Sequence, residues 1–300
     1  MNTLVTGGNG LLGKAIDFGF KPSKSDLDIL NYDNLCEYIE LYNIDSVIHA
    51  AAKVGGIKAN TEYVYDFFAD NMIMNLNIMN ACKKYKFKRA LFIVSTCAFP
   101  ANCELPLREQ KLHDGEPHPT NFGYAYSKRM LEVGSRALVQ QYHIPSICVI
   151  PCNLYGENDN YNIDNGHVIP SLIHKCYLAK NSNSNLHIWG SGNAEREFIY
   201  VKDFAKIIKM IYDEENISQP LIISPGKSYK IKEIVELIVK IMKFDGKVLY
   251  DQTKPEGILR KDSSNEQFVK YFSDFTFTEM ENGLAHTIEY FVKNYNNLRK

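Results

Sequence analysis

The sequence carries almost no net charge, with 34 Lys and Arg against 35 Asp and Glu, a balance of −1. No global positive field therefore exists to recruit nucleic acid or an anionic membrane, and any phosphate-bearing ligand must be held by local groups. A small-molecule partner is expected. Paired cysteine motifs are also missing: the seven cysteines (Cys36, Cys82, Cys97, Cys103, Cys148, Cys152, Cys176) are scattered, odd in number and free of any Cys-x-x-Cys. That argues against a disulfide framework and against a structural zinc site, so no metal is expected and a reducing compartment is the default. No apolar run approaches the roughly 18 residues of a membrane span. Met1 stands only a few residues ahead of a glycine loop, which leaves no room for a signal peptide, so a cytoplasmic protein is expected. Repeats and low-complexity tracts are absent apart from a short Asn/Ser run at 181–185.

What is present is ample for a globular protein, since 300 residues of 45% hydrophobic composition can form one large domain or two sharing a cleft. Thr3–Thr6 reads as a short buried strand, turned by Gly7-x-x-Gly10-x-x-Gly13 into a helix beginning near Leu11. Ser46–Ala50, Ala90–Val94 and Ser146–Ile150 are further apolar, β-branched runs. Residues 66–84 and 124–142, with apolar positions three and four apart, read as long helices between them. This alternation predicts an α/β fold, a Rossmann-type doubly wound parallel sheet, over residues 1–154. Segments at about 196–225 return to it, and 155–300 form mainly a smaller α/β lobe. The lobe is expected to contain an Asn/Asp-rich binding loop at 155–166, a helix at 170–179, strands at 186–189, 197–201 and 247–250, and a helix at 231–242. Because Ser23 lies only ten residues after Gly13, the first crossover must be abbreviated. It is expected to hold a two-turn helix at 11–18 and a very short strand at 18–21.

Three pieces carry redox chemistry. In the glycine loop the first glycine permits a tight turn, the second lets backbone approach a diphosphate, and the third lets the helix pack closely on the strand. The residue ending the second strand selects between cofactors, and Ser23 and Lys24 stand nearest it, which favours NADPH over NADH. Tyr124 and Lys128 lie one turn apart on a helix face. The ammonium is expected to lower the phenol below its usual value of about 10, making Tyr124 a proton donor to a ketone oxygen. Ser95, at the C-terminal end of a predicted central strand where ligands of such sheets bind, can donate to the same oxygen. Each piece alone also occurs as an ordinary turn, a solvated helix face or a strand-end serine. The combination argues for a nicotinamide-dependent ketone reductase.

Cys97 and His167 form a second group. If the segment is extended, Cys97 faces the same cleft as Ser95. A ketone acidifies the carbons beside it, and inverting such a carbon requires an acid and a base on opposite faces of the ring. Reference pKa values of about 8.5 and 6.5 suit that pair near neutrality. A buried structural cysteine and a structural histidine beside Val168-Ile169-Pro170 are the competing readings.

These residues sit in Ala51-Ala-Lys-Val-Gly-Gly-Ile57, Ser95-Thr-Cys-x-x-Pro100, Pro119-Thr-Asn-x-x-Tyr124-x-x-x-Lys128, Asn153-Leu-Tyr-Gly156, His167-Val-Ile-Pro170, Trp189-Gly-Ser-Gly192, Arg196-Glu-Phe198 and Lys254-Pro-Glu-Gly257. From about residue 3 to 295 the chain thereby resembles the GDP-L-fucose synthase family of extended short-chain dehydrogenase/reductases. The resemblance implies NADPH-dependent action on GDP-4-keto-6-deoxymannose, with epimerisation at C3 and C5 and reduction at C4. It implies Ser95, Tyr124 and Lys128 as the reductase triad and Cys97 with His167 as the epimerisation pair. NADP(H) would be held by Gly7, Asn9, Gly10, Leu11, Leu12, Gly13, Ser23, Lys24, Ala51, Lys128, Asn153, Leu154 and His167. The GDP-sugar would lie on Asn153, Val168, Lys175, Trp189, Arg196 and Lys261. Without the resemblance, Lys175 and Lys261 read as surface charges and Trp189 as core. The resemblance also implies a homodimer formed through helices 66–84 and 124–142, whose apolar faces otherwise read as internal core.

Asn9 and Lys175 stand where the family often has arginine, and the segment after Lys261 is more polar than usual. A GDP-4-keto-heptose is therefore a second candidate substrate. Two other readings stay open: a C4 reductase acting after a separate 3,5-epimerase, and a binding protein that senses the dinucleotide without turnover.

Overall fold

The computed structural model describes residues 1–214, 217, 220–254 and 257–299. Pro255 and Glu256, from the Lys254–Gly257 motif, lie outside them. The first sheet is wholly parallel, in the order Thr3–Thr6, Ser46–His49, Arg89–Ile93, Ser146–Pro151, Leu221–Ile223. Strands covered on both faces need continuous apolar runs rather than alternation. Leu4, Val5, Val47, Ile48, Leu91, Phe92, Val149 and Ile150 meet that need and are fully buried.

Helices Tyr32–Tyr42, Val64–Tyr85 and Phe122–Tyr142 bring Leu35, Ile39, Ile78 and Leu131 against one face. The two long helices run slightly further than their apolar spacing predicts, and each ends on a left-handed residue, Lys86 and His143. On the other face, helix Val201–Asp213 buries Val201, Phe204, Ile207, Ile208 and Ile211, while Lys202, Lys206 and Lys209 face water. The doubly wound α/β fold expected from the alternating runs is present.

The first crossover is shorter than expected. Its helix covers only Leu11–Ala15, because Ile16 is already extended, and the second strand shrinks to Phe20, bridged to Leu4. Phe20 still closes two backbone hydrogen bonds of 2.8 Å, to Thr3 and Val5. Gly19 makes the reversal possible at φ 79°, where a Cβ would lie 2.7 Å from the Thr3 carbonyl oxygen.

The second lobe has its own core, with Ile173, Ile188, Phe198, Ile234, Ile238, Leu284 and Phe291 at its centre. Strand Leu186–Trp189 pairs with Val248–Asp251, and Glu195–Tyr200 lies between Arg260–Lys261 and Asn153–Tyr155, with Ser228–Lys230 antiparallel to its start. Strand 197–201 therefore starts earlier than expected and stops at Tyr200, since Val201 is already helical. Helix Val168–Asn181 accommodates Pro170 in its first turn, where the missing N–H has no partner to lose.

Candidate active site

Between the carboxyl ends of the first sheet and the second lobe lies one continuous cavity of about 1300 Å³. At one end the glycine loop wraps tightly: Gly7 is at φ 72° and its carbonyl accepts from the Gly10 amide at 2.8 Å. A Cβ on Gly13 would stand 2.2 Å from that same oxygen, so the helix start packs against bare backbone. This cradle fits a dinucleotide diphosphate, which needs free N–H groups at a helix N-terminus and no side chain in its way.

Every predicted site residue except Ser23 lines the cavity. The Ser23 hydroxyl instead donates to Asp26 Oδ2 at 2.6 Å, and this bond is the main reason the Asp26 carboxyl lies below its usual range. Lys24 and Asn9 remain at the cavity wall, joined by Pro22, Leu27, Asp28, Ile29 and Leu30.

Ser95 lies two residues past the end of the central strand Arg89–Ile93, and the residues after it are not extended. Thr96–Ala98 form a 3₁₀ turn, because Ser95 Oγ accepts from the Cys97 amide at 3.2 Å. The buried Arg129 fastens the end of that turn, with two donors to Ala98 O at 3.0 and 2.6 Å and a third to Gly115 O at 2.8 Å. Cys97 still reaches the cavity, on a tightened turn rather than on strand alternation.

The Tyr124 phenol lies near both Ser95 and Cys97. Its pKa does not fall as expected: burial pushes the phenol well up, Cys97 adds to this, and Ser95 opposes it. The expected partner charge is directed elsewhere. Lys128 Nζ donates to Ile93 O at 2.8 Å and sits 6.0 Å from the Tyr124 ring centroid, and burial brings this lysine down to about 8.

A polar chain that the motifs did not reveal runs behind these groups. Thr6 Oγ1 accepts from the amides of Ala50 and Ala51 at 3.1 Å each, so its own proton goes to His49 Nδ1 at 2.8 Å. That assigns the other proton to Nε2, which donates to Asn75 Oδ1 at 3.1 Å, and Asn75 Nδ2 donates to Ser127 O at 3.0 Å, one residue before Lys128. Burial, aided by the Lys128 charge, pushes His49 down to about 3, so the ring is neutral. His49→Leu should lower the unfolding free energy by about 2 kcal/mol or more, because Thr6 and Asn75 each lose a buried partner. Denaturant titration checks this, and an unchanged midpoint would mean the chain carries no stability.

His167 lies across the cavity as the N-cap of helix Val168–Asn181. Its Nδ1 is 3.5 Å from Oδ1 of Asp159, and that carboxylate is the main reason the imidazole lies above its usual value, against burial and Arg299. About half of its side-chain surface is exposed, and it lines the cavity.

At the far end, Lys261 and Arg196 are register partners on adjacent parallel strands, which puts two cations side by side. Like charges at such positions repel, so an anion between them is favoured. Trp189 is not core: it is 51% exposed, and Lys175 Nζ lies 4.8 Å from its ring. Burial lowers the Lys175 pKa, so this lysine is no free surface charge either. Arg260 and Arg299 also line the cavity, and no motif had marked them.

The model of the family described as NAD dependent epimerase/dehydratase family matches residues 20–224. GDP-L-fucose synthase of Dictyostelium discoideum is 38% identical, over 99% of this chain and 97% of its own. GDP-L-colitose synthase of Yersinia pseudotuberculosis is 33% identical, over 99% of this chain and all of its own. Among solved structures, a GDP-L-fucose synthetase from Naegleria fowleri bound to NADP superposes with a TM-score of 0.92 at 34% identity, covering 99% of this chain and 94% of that one.

Proposed function

The chain belongs to the NAD dependent epimerase/dehydratase family, and from that premise we propose that it is an NADP-dependent GDP-4-keto-sugar epimerase/reductase of the GDP-L-fucose synthase type. The observation that carries this reading is the single cavity running from the glycine loop, past Ser95, Tyr124, Lys128, Cys97 and His167, to Trp189, Arg196 and Lys261. On this reading residues 1–154, with about 196–225, serve the cofactor and 155–300 mainly the sugar nucleotide.

Gly7, Gly10, Gly13, Leu11, Leu12, Asn9, Lys24, Ala51, Asn153 and Leu154 would hold NADP(H), which when bound supplies the hydride for the C4 carbonyl. Tyr124 gives its proton to the O4 oxygen. A phenol raised by burial is protonated at neutral pH, the state a donor requires. Ser95 donates to the same oxygen, and the Lys128 ammonium, bonded to the Ile93 carbonyl, steadies the developing negative charge from a distance rather than by contact. Cys97 and His167 exchange protons with the carbons beside the ketone. Arg196 and Lys261 take the diphosphate, and Trp189 offers its face to the base.

Trp189 is the chain's one tryptophan, so its emission reports that contact. Adding GDP should quench it, and Trp189→Ala should raise KM for the sugar nucleotide about tenfold, the scale of one base stacked on an aromatic ring. Emission that ignores GDP would remove Trp189 from the site. The reading as a whole is tested by following NADPH absorbance: it should fall with a GDP-4-keto sugar, and no consumption with any such sugar would leave the dinucleotide-sensing alternative.

Helices Val64–Tyr85 and Phe122–Tyr142 leave Tyr65, Phe68, Ile73, Leu76, Met130 and Val133 exposed. We propose that this apolar surface pairs with a second copy as a four-helix contact. Sedimentation should give a dimer and Leu76→Glu a monomer; a monomeric wild type contradicts it. A cytoplasmic location fits the NADPH requirement, and among the described residues no helix is long and apolar enough to cross a membrane.

A further inference from the structure

The Asn- and Asp-rich connection after strand Asn153–Tyr155 folds back on itself. Asn162 Oδ1 accepts from the amides of Asp164 and Asn165 at 3.0 and 2.8 Å, and its carbonyl takes the Gly166 amide at 2.9 Å. At Gly166 a Cβ would lie 2.4 Å from the Asn160 carbonyl oxygen, so the return passes directly over the outgoing strand of the loop. Tyr290 fixes its start by donating to Asn158 Oδ1 at 2.7 Å. This fold brings Asp159 beside His167, eight positions later in the chain.

Asp159 is only 3% exposed, yet it reaches the cavity wall. Its Oδ1 accepts from the Asn160 amide at 2.7 Å and stands 3.5 Å from His167 Nδ1. Its Oδ2 is buried with no hydrogen-bond partner among the described residues. A buried carboxylate is costly unless it is paired and fully bonded. Holding one beside an imidazole, half satisfied, is an expense that structure alone does not require.

We propose that Asp159 is a positioning residue for His167, holding the ring through Nδ1–H so that Nε2 becomes the proton-carrying atom presented to the sugar. The inference rests on the reading that His167 exchanges protons with substrate carbon. In each inversion the Nε2–H bond breaks and a C–H bond forms on one face, while the proton from the other face goes to Cys97. Solvent then restores both groups. Asp159 keeps the Nδ1 proton throughout and stabilises the imidazolium, which favours His167 as the acid of the pair. The charges facing the ring are Asp159, which raises it, and Arg299, which lowers it.

The test is an NMR titration of labelled histidines in the full-length protein, with His167→Asn identifying the signal. Wild-type His167 should titrate above its ordinary value of 6.5, and Asp159→Asn should bring it down. In the same variant, deuterium incorporation beside the ketone should fall by about tenfold or more relative to reduction, and its pH profile should move to lower pH. A wild-type His167 titrating at or below the ordinary value overturns the inference, and so does an Asp159→Asn titration that does not move. The wild-type measurement needs no variant of Asp159, so it decides even if that variant misfolds. If His167→Asn leaves deuterium exchange intact, the underlying role of His167 fails instead, whatever the titration shows.

Discussion

Tyr124→Phe should reduce NADPH-dependent turnover by about 10²- to 10⁴-fold, equivalent to about 3 to 5 kcal/mol of barrier, with little change in sugar-nucleotide affinity. The variant keeps the ring and removes only the hydroxyl that lies near Ser95. It leaves O4 with the Ser95 donor and no proton source. The pH profile carries a second expectation. Burial holds the phenol protonated well above neutrality, so ionisation of Tyr124 should impose no loss near pH 7. Lys128, brought down to about 8, loses its charge as pH rises through that value, and reduction should decline there. A Tyr124→Phe enzyme with undiminished turnover would place the proton donor elsewhere.

Cys97→Ser and His167→Asn should each lower solvent deuterium incorporation at C3 or C5 by about 10²-fold or more. Reduction of a substrate already carrying the final stereochemistry should continue in both. The split follows from role: both groups line the cavity that holds Tyr124, but reduction needs a proton donor at the ketone oxygen, a task the proposed mechanism gives to Tyr124 and to neither of them. Removing either one takes away proton transfer on one face of the ring. If neither variant affects exchange, the pair is structural and the protein is a C4 reductase alone.

The parallel sheet and its long helices were readable because burial on both faces demands runs such as Ala90–Val94, and one-sided burial demands the three- and four-residue spacing of the helices. Local hydrogen bonding was harder to read. Ser95 looked like the end of an extended segment, yet its hydroxyl captures the Cys97 amide and tightens the chain into a turn. Ser23 stood at the right position for a cofactor contact, but a carboxylate three residues on claims its hydroxyl. Spacing placed Tyr124 and Lys128 on one helix face and said nothing of the Ile93 carbonyl that draws the ammonium away.

His49 and Asp159 were hidden for a different reason. Within Ser46–Ala50, His49 is one more buried strand position, and its role depends on Thr6 and Asn75, which approach it only in the folded sheet. The stretch 155–166 advertised a binding loop through its Asn and Asp content. Which of those residues meets His167 is decided by the turn around Asn162, whose side-chain bonds no periodicity records. The far end of the cavity shows the same limit. Arg196 and Lys261 are 65 positions apart, and only strand register makes them neighbours.

The most direct test is the product formed from NADPH and a panel of GDP-4-keto hexoses and heptoses in deuterated water, read by mass and NMR. The account predicts NADPH oxidation, a hydroxyl at C4, and deuterium at C3 and C5 with their configuration inverted. A product reduced at C4 but free of deuterium at both carbons, or no NADPH oxidation with any member of the panel, would contradict it.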